Sequence, residues 1–288
     1  MPNLCPPPPN PLSHRAQPLA SPRANHNHIS YQLLFLTLMS MPLLTGALLT
    51  NAATLQKRDF SIQIPEEWRE IPREVLGAME DLRKEIAPLS KGQRCDYGFQ
   101  LGESKGLPTP PLVLIHVQRV GRFPQAELDR LEREGYTFDE AMIARSRKGT
   151  GHVVSNIQVG KMVYDKQAGI IWLRGHATVN PEAPTSLSVL SATIPTEEGV
   201  ILVNCASDTP EYGRYEPVFE SIARSIAVMP TLAYKPRPYD GFKRVKGLWD
   251  IAAETLMLSI AIALFSGVVA LLRKISKKKH PPSNEAPE

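Results

Sequence analysis

Polar and apolar residues alternate along Phe60-Ser-Ile-Gln-Ile, which predicts a strand with one buried face, stopped by Pro65. Over 74–87 the period changes. Val75, Leu76, Met79, Leu82 and Ile86 recur every three or four positions, giving a helix with one apolar face that ends at Pro88. Strands follow over 97–101 and 112–120, joined by a Gly- and Pro-rich loop. A short helix over 127–134 has Pro124 in its first turn, Leu128 and Leu131 facing inward, and Gly135 as its C-terminal cap. Four strands then come in close succession, over 153–164 with a bend at Gly160, 170–179, 186–194 and 200–206. Their connections, Asp165-Lys-Gln-Ala-Gly169 and Pro195-Thr-Glu-Glu-Gly199, are five-residue turns that imply antiparallel hairpins. A last helix over 215–228 carries Tyr215, Val218, Phe219, Ile222, Ala223 and Ile226 at helical spacing. The pattern predicts an α+β domain over 54–229, a central antiparallel sheet with helices on its faces.

Two stretches are apolar without any period. Residues 31–53 follow a proline-rich leader over 1–30, in which eight residues are proline and no packed core can form. This pair reads as a secretory signal, with Thr50 and Ala52 in place for cleavage before Ala53, or as an uncleaved signal anchor. The second stretch, 251–272, follows a Pro-rich spacer over 230–250. Its 22 residues reach roughly 33 Å as a helix, enough for a hydrocarbon core of about 30 Å. It predicts one transmembrane helix with the lipid bilayer as a partner. Arg273, Lys274, Lys277, Lys278 and Lys279 follow it at once, and the positive-inside rule puts the tail over 273–288 in the cytoplasm. The expected arrangement is a single pass through a bacterial inner membrane, with the main domain outside the cytoplasm.

Charge changes the picture only when it is partitioned. The chain of 288 residues has a formal net charge of +4, and no Asp or Glu precedes Asp59. Residues 54–247 hold 26 Lys and Arg against 25 Asp and Glu, a net of +1. The cationic surplus therefore sits in the leader and the tail, where it bears on threading. A balanced domain gives no footprint for nucleic acid. Arg145-Ser-Arg-Lys148 has no interleaved aromatics and reads as a solvated loop.

Chemistry-bearing motifs are few. Cys95 and Cys205 invite a disulfide in an oxidising compartment, but two buried thiols fit the pattern as well. His116, His152 and His176 stand alone, without metal-ligand spacing, and no phosphate loop or G-x-S-x-G elbow occurs. No cofactor, metal or catalytic residue is expected. Core packing is the expectation for Trp68 and Trp172, with a groove between sheet and helix lined by Trp68, Trp172 and Arg174 as the alternative.

Phe60-Ser-Ile-Gln-Ile-Pro-Glu-Glu-Trp68, the strand Val200-Ile-Leu-Val-Asn-Cys, Ser207-Asp-Thr-Pro-Glu-Tyr and Phe219-Glu-Ser-Ile-Ala-Arg-Ser225 together resemble the PsbP/Mog1-like domains, over residues 58–228. The resemblance implies an α/β/α sandwich. It also implies a non-catalytic binding or assembly module that docks a protein partner. The rival expectations are an exported hydrolase with dispersed active-site residues and a carrier of a small apolar ligand.

Overall fold

A computed structural model describes residues 52–86, 94–103, 108–149, 154–179 and 185–237. The leader over 1–30, most of the signal segment, the apolar stretch 251–272 and the basic tail lie outside the described residues. Among the described residues, no helix is long and apolar enough to cross a membrane.

Alternation has its expected consequence in the centre of the chain. β4 (Tyr97–Leu101), β5 (Leu112–Gln118), β8 (Ile170–Val179), β9 (Thr185–Pro195) and β10 (Val200–Asp208) join one antiparallel sheet. The strand order is β3-β4-β5-β10-β9-β8-β6, with β3 (Trp68–Glu70) and β6 (Val154–Val159) at its edges, while β7 (Val163–Asp165) also pairs with β8. Both predicted hairpins form, and Asp165 Oδ1 accepts the Ala168 N–H at 3.0 Å in the first of them. The bend at Gly160 is a full break between β6 and β7. Met162, between them, pairs with Tyr136 instead of β8, the two exchanging both backbone hydrogen bonds at 2.8 and 2.7 Å.

Successive residues of β10 divide the core in two. Val200, Leu202 and Ala206 face one layer, under Leu76 and Met79 of α1 (Arg73–Ile86) and Leu128 and Leu131 of α2 (Gln125–Glu134). Ile201, Val203 and Cys205 face the other, under Tyr215, Phe219 and Ile222 of α4 (Thr209–Arg224). Gly135 caps α2 as expected. It has φ of 61°, a left-handed value, and its N–H bonds to the Leu131 carbonyl. The chain is α+β with antiparallel sheets.

Four segments depart from the sequence reading. Ala52–Gln56 forms an edge strand, β1, where a signal terminus was expected, pairing with β2 (Phe60–Pro65) from Ala52↔Pro65 to Gln56↔Ser61. Cleavage before Ala53 would leave all but its first residue. The basic stretch 145–148 lies in a helix, α3 (Glu140–Gly149), rather than a loop. Asp139 starts that helix by accepting the Met142 N–H at 2.7 Å on its side chain. α4 begins at Thr209 instead of near Tyr215, with Pro210 in its first turn. It also ends early, because Ala227–Val228 becomes β11 and pairs with Phe60 and Ser61, completing a second sheet in the order β1-β2-β11.

The first residues of the expected spacer are part of the fold. Leu232 O accepts the Glu197 N–H at 2.9 Å, Ala233 bridges Thr196, and the Tyr234 hydroxyl donates to the Phe123 carbonyl at 2.8 Å. The fold thus includes residues past 229, at least through Arg237, the last residue described before 251–272.

Candidate functional site

Trp68 and Trp172 lie on the same face of the large sheet, but α4 fills the space between them. Trp68 is 4% exposed, edge-on to Phe219 at 6.0 Å between centroids. Trp172 is 7% exposed, with the Arg224 guanidinium over its ring at 5.2 Å. Both tryptophans are core residues, as the packing reading has it, and the helix occupies the place of the alternative groove. Arg174 is brought to the same face and stays exposed. Its Nε donates to Glu216 at 2.7 Å and its Nη2 to Glu220 at 2.5 Å, tying β8 to α4 from outside. Glu216 also accepts the Tyr212 hydroxyl at 3.3 Å. Burial, with Glu216 adding to it, pushes the Tyr212 phenol far above its ordinary range. This leaves an exposed charged ridge along α4.

Cys95 and Cys205 are not joined by a disulfide. They occupy opposite core layers, Cys95 with the α1 and α2 side chains and Cys205 with those of α4, so the sheet stands between them. Burial alone pushes the Cys205 thiol far up, as expected of an inert core cysteine. The topology residues Arg273, Lys274, Lys277, Lys278 and Lys279 lie outside the described residues.

Three polar arrangements were not anticipated from the sequence. Cys95 Sγ lies 3.4 Å from His116 Nε2, and His116 Nδ1 lies 2.6 Å from the Arg94 carbonyl. On the other face, Thr209 Oγ1 lies 3.1 Å from both His176 Nδ1 and Ser188 Oγ, where α4 meets β8 and β9. The third is Glu197, in the β9–β10 turn. It accepts from Arg122 Nε at 3.1 Å, from the Lys235 N–H at 2.9 Å and from Arg237, while Arg122 packs 4.3 Å over the Tyr234 ring. Among the described residues, no group of His, Cys, Asp and Glu could hold a metal ion.

Burial of Glu197 opposes its charge, but the Lys235 N–H and the guanidinium groups of Arg122 and Arg237 outweigh it and hold its carboxyl below the usual carboxylate value. A depressed folded-state value contributes stability at neutral pH that is lost as pH falls through that value. Glu197→Gln is therefore expected to destabilise the protein at pH 7 by roughly 2 kcal/mol, a partly exposed counterpart of breaking a buried pair. The gap from the parent should narrow as both melts are repeated toward pH 3. Limited proteolysis should also cut the variant faster within 230–237.

No family model and no curated protein matches the chain. Among solved structures it is similar to cyanobacterial PsbP (CyanoP) from Synechocystis sp. PCC 6803, with TM-score 0.35 and 9% identity, over 64% of this chain and 96% of that one. It is also similar to LpqN, involved in cell envelope biogenesis of Mycobacterium tuberculosis, with TM-score 0.31 and 11% identity, over 62% and 91%. Likenesses this distant carry no argument about what this chain binds or does.

Proposed function

We propose that this protein is a membrane-anchored binding or assembly module, displayed outside the cytoplasm on a PsbP/Mog1-like α/β/α domain, and that it docks a protein partner at the cell envelope. The observation that carries the reading is the strap over 229–237. Glu197, Thr196 and Phe123 bind the chain where it leaves the domain, 13 residues before the apolar stretch at Ile251. These contacts fix the point on the domain from which the chain departs toward the apolar stretch, which suits a displayed docking module.

The docking surface in this reading is the exposed ridge of α4. The charged side chains there are held by partners in the same domain, so the ridge is pre-organised at little further entropic cost. Gly213 provides the test. It is exposed, and a Cβ added there meets nothing within 4 Å, so a photo-crosslinking amino acid fits without disturbing the helix. In intact membranes of the native host, position 213 is expected to trap one discrete envelope protein. The same probe at the exposed Gln158 on β6 should trap none. Equal trapping at both positions, or adducts to lipid alone, would count against a docking ridge.

A further inference from the structure

We propose that Cys95 is a reactive thiol activated by His116, and that its substrate class is small peroxides. The proposal goes beyond docking and stands independently of it.

The geometry begins with a carbonyl. The Arg94 oxygen 2.6 Å from His116 Nδ1 can only accept, so Nδ1 carries a proton, and in the neutral imidazole Nε2 presents its lone pair. That lone pair faces Cys95 Sγ at 3.4 Å. Nucleophile, base and orienting group thus stand in the order that thiol activation requires. Neighbouring elements hold the assembly firmly. From α1, Glu80 accepts the Cys95 N–H at 2.7 Å and Arg73 donates to the Cys95 and Asp96 carbonyls at 3.1 and 2.7 Å. From beside β4, Asp96 accepts the Val117 N–H at 2.7 Å. Among the described residues, the charged groups bonded to this assembly or flanking the thiol include Glu80 and Arg73 on α1, Arg94 and Asp96.

The same contacts narrow the chemistry. The Cys95 N–H is committed to Glu80, so it cannot stabilise an oxyanion, and acyl transfer loses its usual backbone donor. Cys95 is only 5% exposed, so any reactant that reaches its sulfur must be small. A peroxide suits both limits. Sγ attacks one peroxide oxygen and the O–O bond breaks. The Sγ proton passes to Nε2 and from there to the departing oxygen. With hydrogen peroxide the products are one sulfenic acid and one water, the sulfur losing two electrons and the peroxide gaining them. Two equivalents of a small thiol reverse it, the first forming a mixed disulfide with loss of water and the second releasing Cys95.

Cys205 serves as an internal control, since it is 1% exposed in the opposite layer. The full chain in its membrane would be treated with hydrogen peroxide and a 1,3-dione trap for sulfenic acid, and both cysteines quantified by mass spectrometry. The expected result is adduct on Cys95 and none on Cys205, forming about tenfold more slowly at pH 6 in His116→Gln. If that variant proves unfolded by circular dichroism, the parent's pH profile decides. Cys95 alkylation should fall by clearly less than tenfold per pH unit between pH 8 and 6 in the native protein, and by about tenfold per unit in urea. Equal labelling of the two cysteines, no effect of His116→Gln in a folded variant, or matching native and urea profiles would overturn the proposal.

Discussion

Phe219→Ala is expected to destabilise the protein by roughly 3–5 kcal/mol, the range for deleting a fully buried aromatic ring. Phe219 has no exposed surface and sits where α4 crosses the second core layer. Its ring meets Trp68 edge-on at 6.0 Å, Tyr215 at 6.2 Å and Tyr212 at 6.5 Å. The pocket cannot collapse easily, because hydrogen-bonded strands form its floor and α4 is held at its outer side by Arg174. Removing the ring therefore leaves a cavity as well as losing its transfer free energy. Trp68 is a built-in reporter, since its indole loses the edge contact. Urea unfolding followed by tryptophan fluorescence should show a midpoint lowered by about 2 M, for a slope of roughly 2 kcal/mol/M. Phe219→Leu, which keeps more of the volume, should cost clearly less than Phe219→Ala. Equal costs would mean that edge contacts, not volume, set the energy of this layer.

Phe219 was legible in the sequence because helical spacing marks it directly. The same holds for Leu128 and Leu131, and for strands whose alternation is bounded by Pro or Gly. The failures are equally physical. Ala-Ala-Thr-Leu-Gln over 52–56 opens on three small side chains and has no clear period, and becomes a strand by pairing along the edge that β2 offers. Ile226 continues the α4 spacing, yet the chain leaves the helix since pairing with Phe60 and Ser61 satisfies backbone groups the helix would not. Thr209 and Pro210 are signals for a helix start, but the apolar period begins only at Tyr215. Local pattern does not reveal which nonlocal partner wins.

The polar arrangements were hidden for a related reason. Cys95 and His116 stand 21 positions apart, and they meet only once β4 pairs with β5. Glu197 finds Arg122 across 75 positions and Arg237 across 40, with no spacing that could announce either contact. For Trp68 and Trp172 the choice lay between core packing and a groove, and burial of both rings agrees with core packing. That both rings share one face of the large sheet, and that α4 covers that face, emerges only from the packing of distant elements. Sequence period locates faces, whereas occupancy of a face is decided by packing between distant elements.

Gly199→Ala should be the most damaging single-methyl change in the described domain. A Cβ on Gly199 would lie 1.9 Å from the Gln118 carbonyl oxygen and 2.9 Å from the Val120 nitrogen, all backbone atoms that no rotamer change can move aside. The glycine closes the β9–β10 turn against the end of β5, where Val200 pairs with Gln118. Relief requires moving the β5 end or opening the turn, and the turn carries Thr196 and Glu197, which hold the strap. The cost is expected at or above about 3 kcal/mol, the upper end for overpacking, with the strap cut faster by protease. Gly77→Ala is the matched control. Gly77 lies within α1 with nothing within 4 Å of an added Cβ, so the same methyl should stabilise the protein by roughly 0.5–1 kcal/mol through helix propensity. Thermal melts of the two variants beside the parent should move in opposite directions. A Gly199→Ala protein as stable as the parent would mean that the β9–β10 turn is free to shift, and that the strap it holds does not fix the exit of the chain.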